Sequence, residues 1–272
     1  MSRQGKAMQS DTYQVLVVKF GTRSARKSEV YLNYPIYGCP DEALDMDYFF
    51  WVVRNEQRTV VIDTGFSREG GEKRSRTFLV EPPRAFEALG IGSESRPTVV
   101  VTHAHYDHIG NLDYFPESEV VLTDAELRFW TGDMRFRRQF AHSVEFKELD
   151  ELAKARDEGR TRTFSNRLEL ASGIELLEVG GHTPGQCVVR VNTTAGTVLL
   201  ASDAVHYFEE LERDLPFAFV SDLPAMYAGF DRIKEMVAED QAILIPGHDP
   251  STLDRLTVTG DGALAGLVGT IG

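Results

Sequence analysis

Three histidines and one aspartate stand within the six residues from His103 to His108. The four residues before Thr102, with the sequence TVVV, are apolar and rich in β-branched side chains, which predicts a buried strand. Side chains alternate along a strand and its extension, so His103 and His105 can face the same way. Imidazole and carboxylate are the ligands that zinc and similar divalent metals prefer. The stretch therefore predicts a metal site at the end of a strand.

Further apolar runs along the chain also end in a possible ligand. The residues concerned are His182 after the run 175–181, Asp203 after 198–202 and His248 after 243–247. Strands that lie side by side with ligands at their carboxyl ends would gather those ligands at one edge of the fold. The candidate ligands are His103, His105, Asp107, His108, His182, Asp203 and His248. A tetrahedral zinc takes about four ligands, so this set predicts two metals that share a bridge.

These motifs resemble those of the metallo-β-lactamase superfamily. The matching elements are the HxHxDH signature at 103–108, Asp63-Thr64-Gly65, a Gly-His-Thr-Pro-Gly context around His182, Asp203, and a Pro-Gly-His context at His248. The resemblance extends over about residues 48 to 250. It implies an α/β fold, a four-layer αββα sandwich in a single domain. The chain length, the pair Asp203-Ala204 and the lack of an appended domain are most similar to the N-acyl-homoserine lactonase group.

The resemblance also implies roles for the ligands and for one neighbour. It assigns His103, His105 and His182 to one metal, Asp107, His108 and His248 to the other, and Asp203 to both as the bridge. The expected cofactors are two divalent metal ions, zinc first and iron, manganese or cobalt as alternatives. Such ions lower the pKa of a shared water to about 7, and the resulting hydroxide would attack a carbonyl carbon. Asp107 could pass a proton to the leaving group. Asp63 is expected to orient a metal-bound histidine rather than only to cap a turn.

The expected function is metal-dependent hydrolysis of a small-molecule carbonyl compound, with a lactone ranked first. A thioester of the glyoxalase II type and a β-lactam, amide or imide remain open, as does a metal-binding protein without turnover. The similar lactonases carry a tyrosine three residues after the bridging aspartate, where this chain has His206 with Tyr207 beside it. Either side chain could donate a hydrogen bond to the carbonyl oxygen, or neither reaches the substrate.

The composition is that of a soluble globular protein, with 42% hydrophobic and 26% charged residues. The formal charge of −13 repels nucleic acid and anionic membranes, so neither is expected as a partner. Cys39 and Cys187 form no CxxC pair and are expected to be free thiols. The sequence shows neither a signal peptide nor a membrane-spanning run, so we expect a cytoplasmic location. A homodimer is left open.

Four segments lie outside the clear strand pattern: the two ends of the chain and two internal stretches. We expect residues 1–11 to be disordered, residues 12–256 to form the hydrolase domain and residues 257–272 to form a C-terminal tail. The stretch 21–47, with Tyr31, Tyr34 and Tyr37, is either a packed surface loop or one wall of the substrate pocket. Residues 131–165 are either a solvated helical connection or a lid over the site. His142 lies in that segment and is not assigned to the metals.

Overall fold

The protein is described from a computed structural model, which covers residues 11–272. Its strands are β1 (Gln14–Arg23), β2 (Met46–Arg54), β3 (Thr59–Ile62), β4 (Thr77–Phe78), β5 (Thr98–Val100), β6 (Val120–Thr123), β7 (Thr161–Phe164), β8 (Arg167–Ala171), β9 (Ile174–Glu178), β10 (Cys187–Thr193), β11 (Gly196–Ser202), β12 (Ile243–Pro246), β13 (Thr257–Thr259) and β14 (Val268–Ile271). Within the described residues they form two sheets. One has the order β13-β14-β1-β2-β3-β5-β6-β7 with β4 beside β1, and the other has the order β12-β11-β10-β9-β8.

Helices cover the outer faces of both sheets. They are α1 (Lys27–Val30), α2 (Arg68–Lys73), α3 (Pro82–Ala88), α4 (Tyr106–Ile109), α5 (Asp124–Thr131), α6 (Arg138–Ala141), α7 (Phe146–Asp157), α8 (Phe208–Arg213) and α9 (Leu223–Asp240). The helix α9 begins after Asp222, whose carboxylate caps it by accepting from the Ala225 amide at 3.0 Å. Among the described helices, none is long and apolar enough to cross a membrane.

Both faces of both sheets are apolar, and this creates the four layers. Along β1, Val17 packs between the sheets while its neighbour Leu16 packs toward the helices; Leu200 and Leu199 of β11 alternate in the same way. A sheet with two apolar faces must be covered on both. The helices α3, α5 and α7 cover the first sheet, and α9 covers the second. The αββα sandwich that the resemblance implies is confirmed, in a single domain.

The strand directions bring the predicted ligands to one edge. β3, β5 and β6 run parallel, and so do β11 and β12. The residues that follow these strands include Asp63 after β3, His103 after β5, Asp203 after β11 and His248 after β12. Because parallel strands end at the same edge, their following residues meet there. The prediction that apolar runs deliver ligands to one edge is therefore confirmed.

The C-terminal segment belongs to the sheet, which corrects the expected tail at 257–272. β14 pairs with β1 in antiparallel register, with Val18 opposite Val268 and Val15 opposite Ile271, and β13 pairs with β14. Gly269 permits this pairing, since a Cβ there would lie 2.6 Å from Cδ1 of Leu256. The domain therefore continues past residue 256. The prediction of a disordered N-terminus concerns residues that, apart from residue 11, lie outside the described part of the chain.

The aromatic stretch 21–47 is mostly a packed loop. Tyr31 and Tyr34 are 1% and 2% exposed, and their rings stack with centroids 5.8 Å apart. Of the two interpretations of the stretch, packing therefore accounts for the tyrosines, while other residues of the stretch line the cavity beside the candidate metal centre.

The free state expected for Cys39 and Cys187 agrees with the structure, in which neither forms a disulfide.

Candidate metal centre

Three buried histidines converge behind the carboxyl ends of β5 and β9. The ligand atoms of His103, His105 and His182 all lie within 4.8 Å of one another, and Nε2 of His182 is 2.9 Å from Nδ1 of His105. Burial lowers the pKa of His103 and His182 well below the usual value and lowers that of His105 to about 4. The rings are therefore neutral at pH 7, and neutral imidazole is the form that binds a metal.

A second triad lies beside the first. Asp107, His108 and His248 also have ligand atoms within 4.8 Å of one another, and all three are buried. Nδ1 of His248 is held by the Asp47 carbonyl at 2.7 Å, and Nδ1 of His108 lies 2.8 Å from Oδ2 of Asp63. Each imidazole is thereby fixed through one nitrogen and presents the other to the site, as is usual for metal-binding histidines.

Asp203 lies between the two triads and contacts histidines of both. Oδ1 is 3.3 Å from Nε2 of His108 and 3.1 Å from Nε2 of His248, whereas Oδ2 is 3.4 Å from Nε2 of His182, 3.7 Å from Nε2 of His103 and 3.3 Å from Nε2 of His248. Burial by itself would raise the pKa of Asp203, but the surrounding histidines hold it well below the usual value. The residue is a carboxylate in the position of a bridging ligand.

Several polar atoms of this cluster have no hydrogen-bond partner within the described residues. They include Nε2 of His103, Nε2 of His108 and Oδ1 of Asp203, all completely buried. A buried polar atom without a partner costs stability, and a bound cation would satisfy all three. The imidazole and carboxylate donors match the preferences of zinc, iron, manganese and cobalt. The residues present therefore fit divalent metal ions.

Asp63, which follows β3, links this strand to the residues that follow β5. Its Oδ1 accepts the Thr102 amide at 2.8 Å, and its Oδ2 accepts the Thr102 hydroxyl at 2.7 Å while also contacting His108. The backbone of Asp63 is in the left-handed region, with φ at 60°. Such a conformation costs free energy and is retained where the surrounding structure demands it. The contact between Asp63 and a metal-site histidine, expected from the sequence, is present.

His206 and Tyr207 are both buried and both contact other protein groups. His206 is fully buried, with Nε2 at 3.1 Å from Oδ2 of Asp203 and Nδ1 at 3.2 Å from Oε2 of Glu210. Its ring stacks on Phe217 at 3.7 Å between centroids. The Tyr207 hydroxyl donates to the carbonyl of Asp45 at 3.3 Å. The contacts of His206 point to support of Asp203, and those of Tyr207 to packing.

The family follows from these residues and from a sequence match. The profile described as the Metallo-beta-lactamase superfamily matches residues 47–248. The chain belongs to this superfamily. The resemblance that the motifs carry is therefore confirmed, and the chain has the fold of a metal-dependent hydrolase.

Relatives and solved structures of this superfamily member include lactonases. An N-acyl homoserine lactonase from a Bacillus species is 26% identical over 226 residues, covering 77% of this chain and 84% of the relative. A solved quorum-quenching N-acyl homoserine lactone lactonase superposes with a TM-score of 0.72 at 18% identity, covering 89% of this chain and 95% of that one. An N-acyl homoserine lactone hydrolase, solved with the product N-hexanoyl-L-homoserine at its catalytic metal centre, gives 0.73 at 17% identity, covering 93% and 99%. At this identity the structures establish the shared fold.

Glu126 ties together the two loops that carry the first histidine triad. The pattern from Thr123 to Glu126 predicts a capping box, and Thr123 does cap α5 by accepting the Glu126 amide at 3.2 Å. The Glu126 carboxylate instead accepts from Ala104 N at 2.8 Å, Trp130 Nε1 at 2.6 Å, Thr183 Oγ1 at 2.8 Å and Gly185 N at 3.0 Å. Ala104 separates two ligands and Thr183 follows a third. This role is not apparent from the sequence.

We expect Glu126→Gln to weaken metal binding at the histidine triad by about 10- to 100-fold, as is typical for residues that hold ligands in place. The amide of glutamine would turn a donor toward groups that are themselves donors. Titration of metal-depleted protein with Zn²⁺ measures the affinity, and Glu239→Gln on the exposed side of α9 is the matched control. Unchanged affinity in Glu126→Gln would remove the positioning role.

A cavity of about 430 Å³ opens onto the metal ligands. Its lining includes His105, Asp107, His182, Asp203 and His248 from the centre, Arg23, Glu29, Met46 and Tyr48 from the N-terminal part, Lys73, Arg74, Arg76 and Tyr106, and His142, Ser143, Phe217 and Phe219 at the rim. The volume lies in the range of small-molecule sites. The segment 131–165 thus supplies part of the rim. A cleft of about 650 Å³ beside α2 and α7 contains none of the seven ligands.

Proposed function

We propose that this hydrolase is a lactonase that depends on two divalent metal ions, with zinc as the first choice. The observation that carries the proposal is the position of Asp203 between two ligand triads, where its carboxylate contacts histidines of both. The choice of a lactone is supported by the relatives named N-acyl homoserine lactonase, which are 22% to 26% identical to this chain.

The metal ions and the residues of the cavity would each supply a part of the reaction chemistry. Bound divalent ions would supply an acidified water and polarise the substrate carbonyl. The carboxylate of Asp203 offsets the mutual repulsion of two cations. Asp107 lines the cavity and is 8% exposed, so its free oxygen can carry a proton to the departing alcohol.

The Tyr48 hydroxyl is the donor that we assign to the substrate in the cavity. Burial raises the pKa of Tyr48 to about 12 and raises that of Tyr106 well above its usual value, so both stay protonated. The Tyr106 hydroxyl donates to the Tyr48 hydroxyl at 3.5 Å, which leaves the Tyr48 hydrogen for the substrate. The Tyr48 ring packs 5.1 Å from the His248 ring. We therefore assign the stabilisation of the carbonyl oxygen to the Tyr48 hydroxyl rather than to His206 or Tyr207.

The same centre would serve other carbonyl substrates. A lactone has an oxygen leaving group, whereas a thioester of the glyoxalase II type has a sulfur leaving group and a β-lactam, amide or imide has a nitrogen leaving group. No residue of the described cavity selects against them on chemical grounds. The partner in each case is a small carbonyl compound. A cytoplasmic location, the absence of nucleic-acid and membrane partners and an optional homodimer stay predictions.

The metal content is the first test. Protein produced with added zinc is expected to contain about two metal ions per chain, because the ligand set offers two triads and a bridge. Elemental analysis of the purified protein gives the ratio, and a chelator should remove both metals and the activity together. Saturation at a single ion would contradict the binuclear proposal.

The substrate class is tested by comparing rates on matched compounds. We expect kcat/KM for γ-lactones to exceed that for thioesters, a β-lactam and a cyclic imide by about tenfold or more, which corresponds to about 1.4 kcal/mol of transition-state binding. Each rate is measured against metal-depleted protein as the blank. A higher kcat/KM for the thioester or the β-lactam would replace the lactone as the proposed substrate.

A further inference from the structure

Four cationic side chains line the cavity, but they differ in their partners. Lys73 and Arg74 both bind Glu145, with Lys73 Nζ at 2.9 Å from each carboxylate oxygen and Arg74 Nη1 at 2.5 Å. Arg23 and Arg76 have no carboxylate partner among the residues that the structure describes. Acidic residues outnumber basic ones by 42 to 29 in this chain, so two unpaired guanidinium groups in one cavity call for an explanation.

Arg76 is held in place by neutral groups. Its Nε donates to the Tyr106 hydroxyl at 3.0 Å and its Nη1 donates to the carbonyl of Arg74 at 2.8 Å. Its Cζ lies 5.7 Å from the ring centroid of Tyr48. These contacts orient the guanidinium without neutralising it, and none of them uses Nη2. Such a group is ready to pair with an anion, because little side-chain freedom remains to be lost.

Arg23 faces the same cavity from the end of β1. It pairs in register with Met46 of β2, which also lines the cavity. Its Nε is buried and has no hydrogen-bond partner in the described part of the chain. A buried charged donor without a partner costs free energy, and an anion that binds there recovers it.

The carboxylates of the cavity do not meet this need. Glu29 is exposed and accepts the Arg26 amide at 2.8 Å, which keeps it at the start of α1. Asp107 and Asp203 belong to the metal centre, where cations would offset their charge. The apolar part of the wall consists of Met46, Phe217 and Phe219.

We propose that Arg23 and Arg76 bind a carboxylate carried by the substrate, so that the preferred substrate is an anionic lactone. A carboxylate matches the planar fork of a guanidinium and is held by two parallel hydrogen bonds. This inference rests on the proposed lactonase function for the reacting bond, but it concerns a separate part of the cavity.

The kinetic test compares two lactones that differ only in charge. We use a γ-butyrolactone with a carboxylate on the ring carbon next to the ring oxygen, and the corresponding primary amide. The metal-loaded enzyme is expected to prefer the carboxylate by about tenfold or more in kcat/KM, mainly through KM. Arg23→Gln and Arg76→Gln should each lower this preference by about tenfold, because kcat/KM falls more for the carboxylate than for the amide. Arg156→Gln, which removes a surface partner of Asp157, is the matched control.

A binding test keeps this inference separate from the lactonase proposal. Calorimetric titration of the metal-loaded protein with glutarate and with glutaramate, its monoamide, compares a second carboxylate with a neutral group. Glutarate should bind about tenfold more tightly or better, and the double glutamine variant should lose the difference. Arg23→Lys and Arg76→Lys keep the charge and should keep part of the glutarate preference. This result would distinguish loss of the anion site from loss of the fold.

The outcomes are distinct. Lactone hydrolysis without a carboxylate preference in either test overturns the anion site and leaves the lactonase proposal intact. A glutarate preference that depends on both arginines, without hydrolysis of any lactone, keeps the anion site and overturns the lactonase proposal.

Discussion

Replacing Asp203 with asparagine is expected to lower hydrolysis by more than about a hundredfold, because even residues behind the ligands cost 10- to 100-fold. It should also release one metal ion of two. Asparagine offers a single acceptor oxygen and no charge, whereas one oxygen of Asp203 contacts His108 and His248 and the other contacts His182 and His248. One triad would then lose the ligand that it shares with the other, and no negative charge would offset the repulsion between the two cations.

The Asp203 prediction is checked by elemental analysis and initial rates on the same preparations. The fold should survive, because Asp203 follows β11 and the apolar residues of that strand remain. Asp240→Asn is the matched control, since Asp240 pairs with Arg190 at 2.8 Å at the far end of α9. An Asp203→Asn protein with both metals and full activity would exclude the bridging role.

The convergence of the candidate metal ligands could be predicted from sequence because several of them stand close after an apolar run. A β-branched run predicts a buried strand, and parallel strands bring their carboxyl ends together. His103, Asp203 and His248 are all placed by this rule, and Asp63 follows β3 in the same way. The αββα layers follow from strands that are apolar on both faces, as the alternation of Leu199 and Leu200 between two cores shows.

Long-range partners could not be predicted in this way. Glu126 has the local pattern of a capping residue, but its carboxylate binds Ala104 and Thr183, which are 22 and 57 residues away. The strand β14 is short and contains a glycine, and it forms because β1 offers a free edge. Local propensity carries no information on either contact.

The two arginines of the cavity illustrate the same limit. Arg23 ends β1 and Arg76 follows α2, and nothing in their local sequences sets them apart from the other basic residues. What distinguishes them is the absence of a carboxylate partner among the described residues, which appears only when the chain is folded. In an acidic protein, a partly buried cation without a carboxylate partner therefore carries information that composition and motifs do not contain.

His206 presents two roles that predict different defects, and the geometry favours the supporting one. Its Nε2 lies 3.1 Å from Asp203 and its Nδ1 lies 3.2 Å from Glu210, with the ring against Phe217. Removing this support should let the Asp203 carboxylate rotate away from its bridging position. We therefore expect His206→Ala to weaken metal binding by about 10- to 100-fold. Activity should fall with metal occupancy and return when zinc is added in excess.

A donor to the substrate would behave differently, and this makes the experiment decisive. Loss of such a donor lowers kcat by about a hundredfold or more while the metals remain bound, and added zinc restores nothing. Zinc titration and kcat at saturating zinc are therefore measured together for His206→Ala. His142→Ala is the control for metal content, because His142 is exposed and stacks on Phe219 at 5.1 Å. Full metal occupancy together with a low kcat that added zinc does not restore would support the catalytic role predicted from sequence for His206. Removing a group that acts only in the transition state leaves metal binding intact.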